Sequence, residues 1–272
     1  MRDLSALFNP KSVAIIGVSE DPKKVGAIIL KNIIDSKFKG QIYPVNPNFE
    51  NIQNLKCFKS VGDIPDVPDL AIIAIPADPA LLVLTEIGEK GIENVICITA
   101  GFKEIGEEGK KREEQLLEIS KKYNINLVGP NCLGLVNNLC PINATFGELV
   151  NIPGNLRFIS QSGAIATGIF DWCKSINLGF SQFITLGNKT VVNENDVLNY
   201  FKDQAVVGQN NEGLSQLSPI GLYLESISDG INFLKIAKEI SQKNPIFIIK
   251  PGKTKAAVSA MQSHTGAIAG ED

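Results

Sequence analysis

Histidine is almost absent from this sequence, because its 272 residues contain only His264, within "SHTGAIAG". Positive charge is also scarce: 26 Lys and Arg stand against 29 Asp and Glu, for a formal net charge of −3. Because it has neither a basic run nor an aromatic-basic stripe, the chain lacks the positively charged surface that binds a phosphate backbone, and nucleic acid is not an expected partner. No apolar run approaches the roughly 20 residues of a membrane span. We therefore expect a cytoplasmic protein with no membrane contact.

Paired cysteines are lacking as well. The five cysteines are scattered, form no CxxC pair and have no neighbouring histidine that would indicate zinc. We expect no metal site and reduced, mostly buried thiols.

Hydrophobic runs that alternate with helical patterns are what the sequence does contain. Runs such as "SVAIIGV", "LAIIAIP" and "NVICITA" are continuous, which is typical of parallel strands covered on both faces. The pattern predicts an α/β protein with a doubly wound, Rossmann-like domain over residues 1–139. A Gly/Pro/Asn-rich passage around "GPNCLGLVNN" is interpreted as a connection, and the rhythm then restarts in a second α/β domain over 140–272, expected to be incomplete at its C-terminus. Residues 204–218 are expected to form a surface loop.

A glycine-rich turn follows the first predicted strand. Gly17 ends the strand and Gly26 lies near the next helix start, where backbone N–H groups and the helix dipole favour a phosphate. Ser19 replaces the second glycine of a GxGxxG fingerprint, and Asn46 stands where an NAD site would carry an acidic residue, which disfavours NAD. Lys24 suits a ligand with several phosphates. A plain strand-to-helix turn with exposed lysines is the alternative.

A second helix start, in "FISQSGAIA", repeats this arrangement. Ser162 and Gly163 are a candidate anion site there, and an ordinary N-cap serine is the alternative. Cys132 in "GPNCLG" is interpreted either as a residue near a reactive thioester or as a buried structural thiol.

His264 has small and polar neighbours and no apolar helical stripe, so a buried core role is disfavoured. A neutral imidazole is a competent nucleophile at neutral pH, and Glu225, after the strand "PIGLYLES", is a candidate carboxylate to orient it. The alternative for Glu225 is a solvated loop carboxylate. A Ser-His-Asp hydrolase is disfavoured because no GxSxG follows a strand.

Several motifs together carry a family resemblance: "VAIIGVSEDPKKVG", "IYPVNP", "TAGFKEIGEEG", "GPNCLGLVN", "FISQSGAIA", "LGNK" and "SHTGAIAG". In this order and spacing they resemble the α-type portion of the ADP-forming acetyl-CoA synthetases, acyl-CoA synthetases of the succinyl-CoA synthetase superfamily. The resemblance implies a CoA-binding Rossmann-like domain followed by a flavodoxin-like ligase domain. It assigns the CoA phosphates to Gly17, Ser19, Lys24, Val25 and Gly26, and the pantetheine end to Asn131 and Cys132. It also implies phosphate at Ser162 and Gly163, transient phosphorylation of His264, and a supporting role for Glu225.

The reaction implied by the resemblance is acyl-CoA + ADP + phosphate ⇌ acid + ATP + CoA, with CoA and a small carboxylic acid as ligands. ADP or ATP with Mg²⁺ is expected on a partner ATP-grasp subunit or domain, in an oligomeric assembly. Since this sequence carries no such module, we expect the chain to make no ATP alone. The alternative functions are a non-catalytic CoA-binding module and, less favoured, an NAD-dependent oxidoreductase.

Overall fold

The first half of the chain builds a parallel sheet. The computed structural model describes residues 2–147, 152–204 and 217–251. The strands of this half are β1 (Ser12–Ile16), β2 (Gln41–Val45), β3 (Asn51–Ile52), β4 (Leu55–Lys56), β5 (Leu70–Ile73), β6 (Asn94–Cys97) and β7 (Asn126–Val128). The helices are α1 (Ser5–Phe8), α2 (Val25–Asp35), α3 (Ala77–Lys90) and α4 (Glu107–Lys122), with a 3-10 helix at Lys103–Ile105.

This first sheet has the order β2-β1-β5-β6-β7, and all its pairings are parallel. Every residue of β5, β6 and β7 is buried, as the continuous hydrophobic runs predict. From β1 the chain goes to β2 on one side and later to β5 on the other. The order therefore reverses between β1 and β5, and such a switch point opens a crevice at the carboxyl ends of the strands.

A second sheet follows. Its strands are β8 (Gly134–Asn137), β9 (Ile142–Thr145), β10 (Pro153–Ser160), β11 (Phe180–Thr185), β12 (Ile220–Tyr223) and β13 (Ile246–Ile249), and its helices are α5 (Gly163–Ser175), α6 (Glu194–Asp203) and α7 (Gly230–Ser241). The order is β13-β12-β10-β11-β8-β9, parallel from β13 to β11 and antiparallel at β8 and β9. Here the strand order reverses between β10 and β12.

The passage interpreted as a connection carries strands of the second sheet. β8 pairs with β11, and β9 pairs with β8, so the expected division at 139/140 falls between two strands of one sheet. The change of sheet comes earlier, after β7 ends at Val128 and before β8 begins at Gly134. By sheet membership we infer that the second domain begins with β8.

One apolar cluster connects the two sheets, because it contains Ile15 and Ile72 of the first together with Ile159 and Ile184 of the second. The N-terminal helix α1 contributes to this contact: the ring of Phe8 stacks on that of Tyr200 with centroids 4.3 Å apart. Backbone hydrogen bonds from Asn188 and Thr190, after β11, to Pro130 and Gly129, after β7, hold carboxyl ends of the two sheets next to each other. Within the described ranges, none of the helices is both long and apolar enough to cross a membrane.

Candidate functional site

The turn after β1 is shaped by its two glycines. Gly17 has a φ of +94°, and a Cβ there would lie 2.5 Å from the carbonyl oxygen of Ala74. A Cβ on Gly26 would lie 2.0 Å from the carbonyl oxygen of Gly17. Only glycines allow the first turn of α2 to approach the end of β1 this closely.

Helix α2 begins without a side-chain cap. Its N-cap residue is Lys24, which makes no side-chain capping hydrogen bond to the helix. The first-turn N–H groups of an α-helix have no partners within the helix, so they are donors for an anion bound at this end. This arrangement fits the phosphates of a nucleotide such as CoA.

Asn46, after β2, stabilises the same turn. Its Nδ2 donates to the carbonyl oxygen of Val18 at 2.6 Å, and its Oδ1 accepts from the backbone N–H of Asn48 at 2.9 Å. Asn46 stands where an NAD site would carry an acidic ribose ligand, and its side chain is occupied by hydrogen bonds to the protein backbone.

Asn131 and Cys132 follow β7. Cys132 is buried, and its thiol donates to the carbonyl oxygen of Cys97 at 3.3 Å. Burial raises the pKa of Cys132 well above its usual range, so the sulfur stays protonated at neutral pH. This environment favours the structural-thiol interpretation, and Cys132 still lines the cavity described below.

At the second helix start, Ser162 is the N-cap of α5. Its side chain accepts from the backbone N–H of Ile165 at 3.4 Å, as the N-cap interpretation predicts. The hydroxyl of Ser160 donates to the carbonyl oxygen of Ser162 at 2.7 Å. The N–H groups of Gly163 and Ala164, at the start of α5, are further donors of the kind that binds phosphate.

Glu225, which follows β12 and Leu224, is not a solvated loop carboxylate, because only 4% of the residue is exposed. The backbone N–H groups of Glu225 and Ser226 both donate to the Oε1 of Gln161, each at 3.0 Å. Gln161 belongs to the "SQSG" segment, so one side chain connects the α5 helix start with the Glu225 turn.

A single cavity of about 1130 Å³ joins these features. It lies where the switch points of the two sheets face each other. It is lined by every described residue that the sequence assigns to a site: Gly17, Ser19, Lys24, Val25, Gly26, Asn131, Cys132, Ser162, Gly163 and Glu225. His264 lies outside the described residues, as do 205–216 of the expected loop.

The charges in the cavity are few and lie apart in the sequence. Among the described lining residues, Lys24 is the only basic side chain and Glu225 the only acidic one. Burial, and next the Glu225 carboxylate, raise the pKa of Tyr223, so its hydroxyl stays protonated. The cavity therefore offers chiefly backbone donors and neutral side chains to a ligand.

Sequence reasoning missed several lining residues, chief among them Asn188 in "LGNK" and the apolar Leu133 and Phe146. The glycine of this motif was the signal in the sequence. Gly187 has a φ of +55°, and a Cβ there would lie 2.2 Å from the carbonyl oxygen of Pro130. This glycine lets the loop after β11 pack on the loop that carries Asn131.

Two family models match the chain, a CoA binding domain over residues 11–138 and a succinyl-CoA ligase like flavodoxin domain over 153–272. The chain is 42% identical to subunit alpha of acetate–CoA ligase [ADP-forming] I of Pyrococcus furiosus, over 99% of this chain and 57% of that protein. It is 41% identical to 4-hydroxybutyrate–CoA ligase [ADP-forming] of Nitrosopumilus maritimus, over 98% of this chain and 37% of that protein.

A solved structure agrees with these relatives. The dinucleotide forming acetyl-coenzyme A synthetase 1 of Ca. Korarchaeum cryptofilum, in complex with phosphate and ADP, superposes with a TM-score of 0.91 at 37% identity. The match covers 100% of this chain and 56% of that one, so the chain spans only part of the proteins it resembles. Since both halves match and nearly the whole chain aligns, the chain belongs to the ADP-forming acyl-CoA synthetases of the succinyl-CoA synthetase superfamily, as their α-type portion.

Proposed function

We propose that this chain binds CoA and phosphate in the cavity and carries the phosphohistidine of an enzyme that interconverts acyl-CoA, ADP and phosphate with acid, ATP and CoA. The observation that carries the proposal is the single cavity, which extends from the uncapped start of α2 to the start of α5 and Glu225. A CoA molecule needs such a connection, because its phosphates and its thiol lie at opposite ends.

The CoA phosphates are assigned to the turn after β1. The N–H groups of Val25 and Gly26 and the ammonium of Lys24 supply the positive end there, and Ser19 adds a hydroxyl. Asn131 and Cys132 border the path towards the second sheet, which we assign to the pantetheine end. Cys132, as a buried thiol, shapes this path and takes no covalent step.

The phosphate is assigned to the start of α5, at Ser162 and Gly163. A phosphate oxygen there attacks the thioester carbonyl carbon, the C–S bond breaks, and CoA leaves as the thiol while an acyl phosphate forms. A neutral ring nitrogen of His264 then attacks the phosphorus, the P–O bond to the acyl group breaks, and the carboxylate leaves. The carboxylate of Glu225 stabilises the positive charge that the imidazole gains.

Transfer of the phosphoryl group to ADP is assigned to a partner ATP-grasp domain that holds the nucleotide and Mg²⁺. The support is that the relatives named above are ADP-forming and extend well beyond the part this chain matches. The acid is proposed to be a small carboxylic acid. A non-catalytic CoA-binding module is the alternative if His264 accepts no phosphoryl group.

Calorimetric titration of the purified chain with CoA and, separately, with NAD tests the CoA site. We expect CoA to bind and NAD not to bind. Replacing Lys24 with Ala removes a solvent-exposed charge beside phosphates, which corresponds to about 1 kcal/mol, or about a fivefold weaker affinity. Ser19→Ala is expected to weaken CoA in the same direction.

Lys23→Ala is the matched control, because Lys23 is the preceding residue and does not line the cavity. Its CoA affinity should stay close to that of the unmodified chain. Binding of NAD without CoA, or equal losses for Lys23→Ala and Lys24→Ala, would refute the assigned CoA site.

A further inference from the structure

The lysine of the "LGNK" motif forms a buried ion pair next to the cavity. The Nζ of Lys189 lies 2.8 Å from the Oε2 of Glu194, and the two side chains are only 6% and 0% exposed. Neither residue lines the cavity. Taking two charges out of water is costly, and such a pair is a weak source of stability compared with apolar packing. The geometry that the pair imposes on neighbouring residues therefore explains it better than a gain in stability does.

The remaining hydrogen bonds of this pair reach one short segment. The Nζ of Lys189 donates to the carbonyl oxygen of Ser226 at 2.7 Å. The Oε1 of Glu194 accepts from the backbone N–H of Ser228 at 2.6 Å, and its Oε2 accepts from the hydroxyl of Ser228 at 3.3 Å. The ion pair thus holds the backbone directly after Glu225.

The same segment is held from the other side by Gln161. Besides accepting from the N–H groups of Glu225 and Ser226, its Nε2 donates to the hydroxyl of Ser226 at 3.3 Å. The Glu225–Ser228 turn is therefore fixed between the start of α5 and the Lys189–Glu194 pair.

Asn188, the residue before Lys189, is anchored at the junction of the two sheets. The N–H of Asn188 donates to the carbonyl oxygen of Pro130 at 2.9 Å. The carbonyl oxygen of Asn188 accepts from the Nζ of Lys103 at 2.6 Å, and its side-chain amide donates to Glu104 and Glu113, each at 2.8 Å. A chain of polar contacts thus runs from the first domain to the Glu225 turn.

We propose that Lys189 and Glu194 are positioning residues, which hold the Glu225–Ser228 turn so that the Glu225 carboxylate keeps its place in the cavity. The proposal rests on the proposed function, in which Glu225 supports His264. It gives a role to the lysine of the "LGNK" motif, which does not line the cavity.

Phosphorylation of the chain by acetyl phosphate tests this, because the step needs no ADP and no partner subunit. The His264 ring nitrogen attacks the phosphorus, the bridging P–O bond breaks, and acetate leaves as the N–P bond forms. With ³²P-labelled acetyl phosphate, the product is an acid-labile, alkali-stable label. His264→Asn should abolish it, and Glu225→Gln should slow it.

The test variant is the double substitution Lys189→Met/Glu194→Gln, which removes both charges of the ion pair together. The matched control is Lys202→Met/Glu239→Gln, the same substitutions at a more exposed pair whose atoms lie 3.1 Å apart. Since misplacing a catalytic group by about 1 Å can cost about 100-fold, we expect the test variant to slow labelling by at least about tenfold. The control should match the unmodified chain, and CoA affinity should be the same in both.

A double-mutant cycle separates positioning from general destabilisation. If the pair acts through Glu225, the test substitutions should add no further loss in a Glu225→Gln background, whereas an independent effect would multiply the losses. Rapid labelling of the test variant, or multiplied losses, would overturn the positioning role while leaving the proposed function intact. An unmodified chain that takes no label on His264 would overturn the proposed function, and this inference with it.

Discussion

Gly26→Ala is the substitution for which the structure makes the sharpest prediction. Gly26 is the second residue of α2 and is buried. A methyl group there would lie 2.0 Å from the carbonyl oxygen of Gly17 and 2.7 Å from its carbonyl carbon. Both neighbours are backbone atoms, so the turn itself must move.

The size of the effect follows from two opposing contributions. Overpacking costs about 1 to 3 kcal/mol, and this case is at the upper end, about 3 kcal/mol, because the methyl group would meet backbone atoms. The higher helix propensity of Ala offsets about 1 kcal/mol. The net loss of unfolding free energy is about 2 kcal/mol, which lowers the Tm by about 4 to 8 °C for a domain of this size. Because the displaced turn is the assigned phosphate site, CoA affinity should fall at least about tenfold.

Gly168→Ala supplies the control. Gly168 lies inside α5, and an added Cβ would have nothing within 4 Å. Only the helix propensity changes, so the Tm should rise by about 2 to 4 °C with CoA affinity unchanged. Thermal unfolding by circular dichroism and calorimetric titration measure both quantities. A Gly26→Ala chain that unfolds and binds CoA like the unmodified protein would refute the close-approach argument.

Two further predictions concern titrating groups. Burial raises the pKa of Cys132, and it raises the pKa of Cys97 to about 12. An aromatic disulfide reagent at pH 8 should therefore modify the half-buried Cys140 before either of these two thiols. Fast modification of Cys132 would contradict its burial. The hydroxyl of Tyr43 donates to Asp66 at 2.7 Å, which raises the pKa of Tyr43 from 10.0 to about 12. This stabilisation is fully present below pH 10.0 and is lost as the pH rises through about 12, so Tyr43→Phe should flatten the fall of the urea midpoint over that range, and an unchanged fall would refute the linkage.

Much of the fold was predictable because buried parallel strands read as continuous apolar runs. Strands β8 and β9 were not, since their passage is rich in Gly, Pro and Asn and they bury polar side chains. Asn137 is fully buried, and its Nδ2 donates to the carbonyl oxygen of Phe8 at 2.7 Å. Such a residue is polar in sequence and interior in structure, and only the tertiary contact explains it.

Part of the candidate site was likewise predictable from the sequence, and part was not. The glycine turn was predictable because a strand end, a helix start and two glycines are adjacent in sequence. The burial of Glu225 and its bonds to Gln161 were not, because these residues follow different strands, β12 and β10, and meet only at the carboxyl ends of those strands. The pairing of Lys189 and Glu194 connects a loop to a helix with no periodic signal.

The central claim, one cavity that binds CoA along its length, is tested most directly by amide chemical-shift mapping of the isotope-labelled chain. Adenosine 3′,5′-bisphosphate, a nucleotide fragment of CoA, should shift amides of the turn after β1, such as those of Gly17 and Gly26, and leave those of Cys132 and Gly163 unchanged. Whole CoA should shift these and also Cys132 and Gly163, which line the far part of the same cavity. CoA shifts confined to the first turn, or located away from the cavity, would contradict the account.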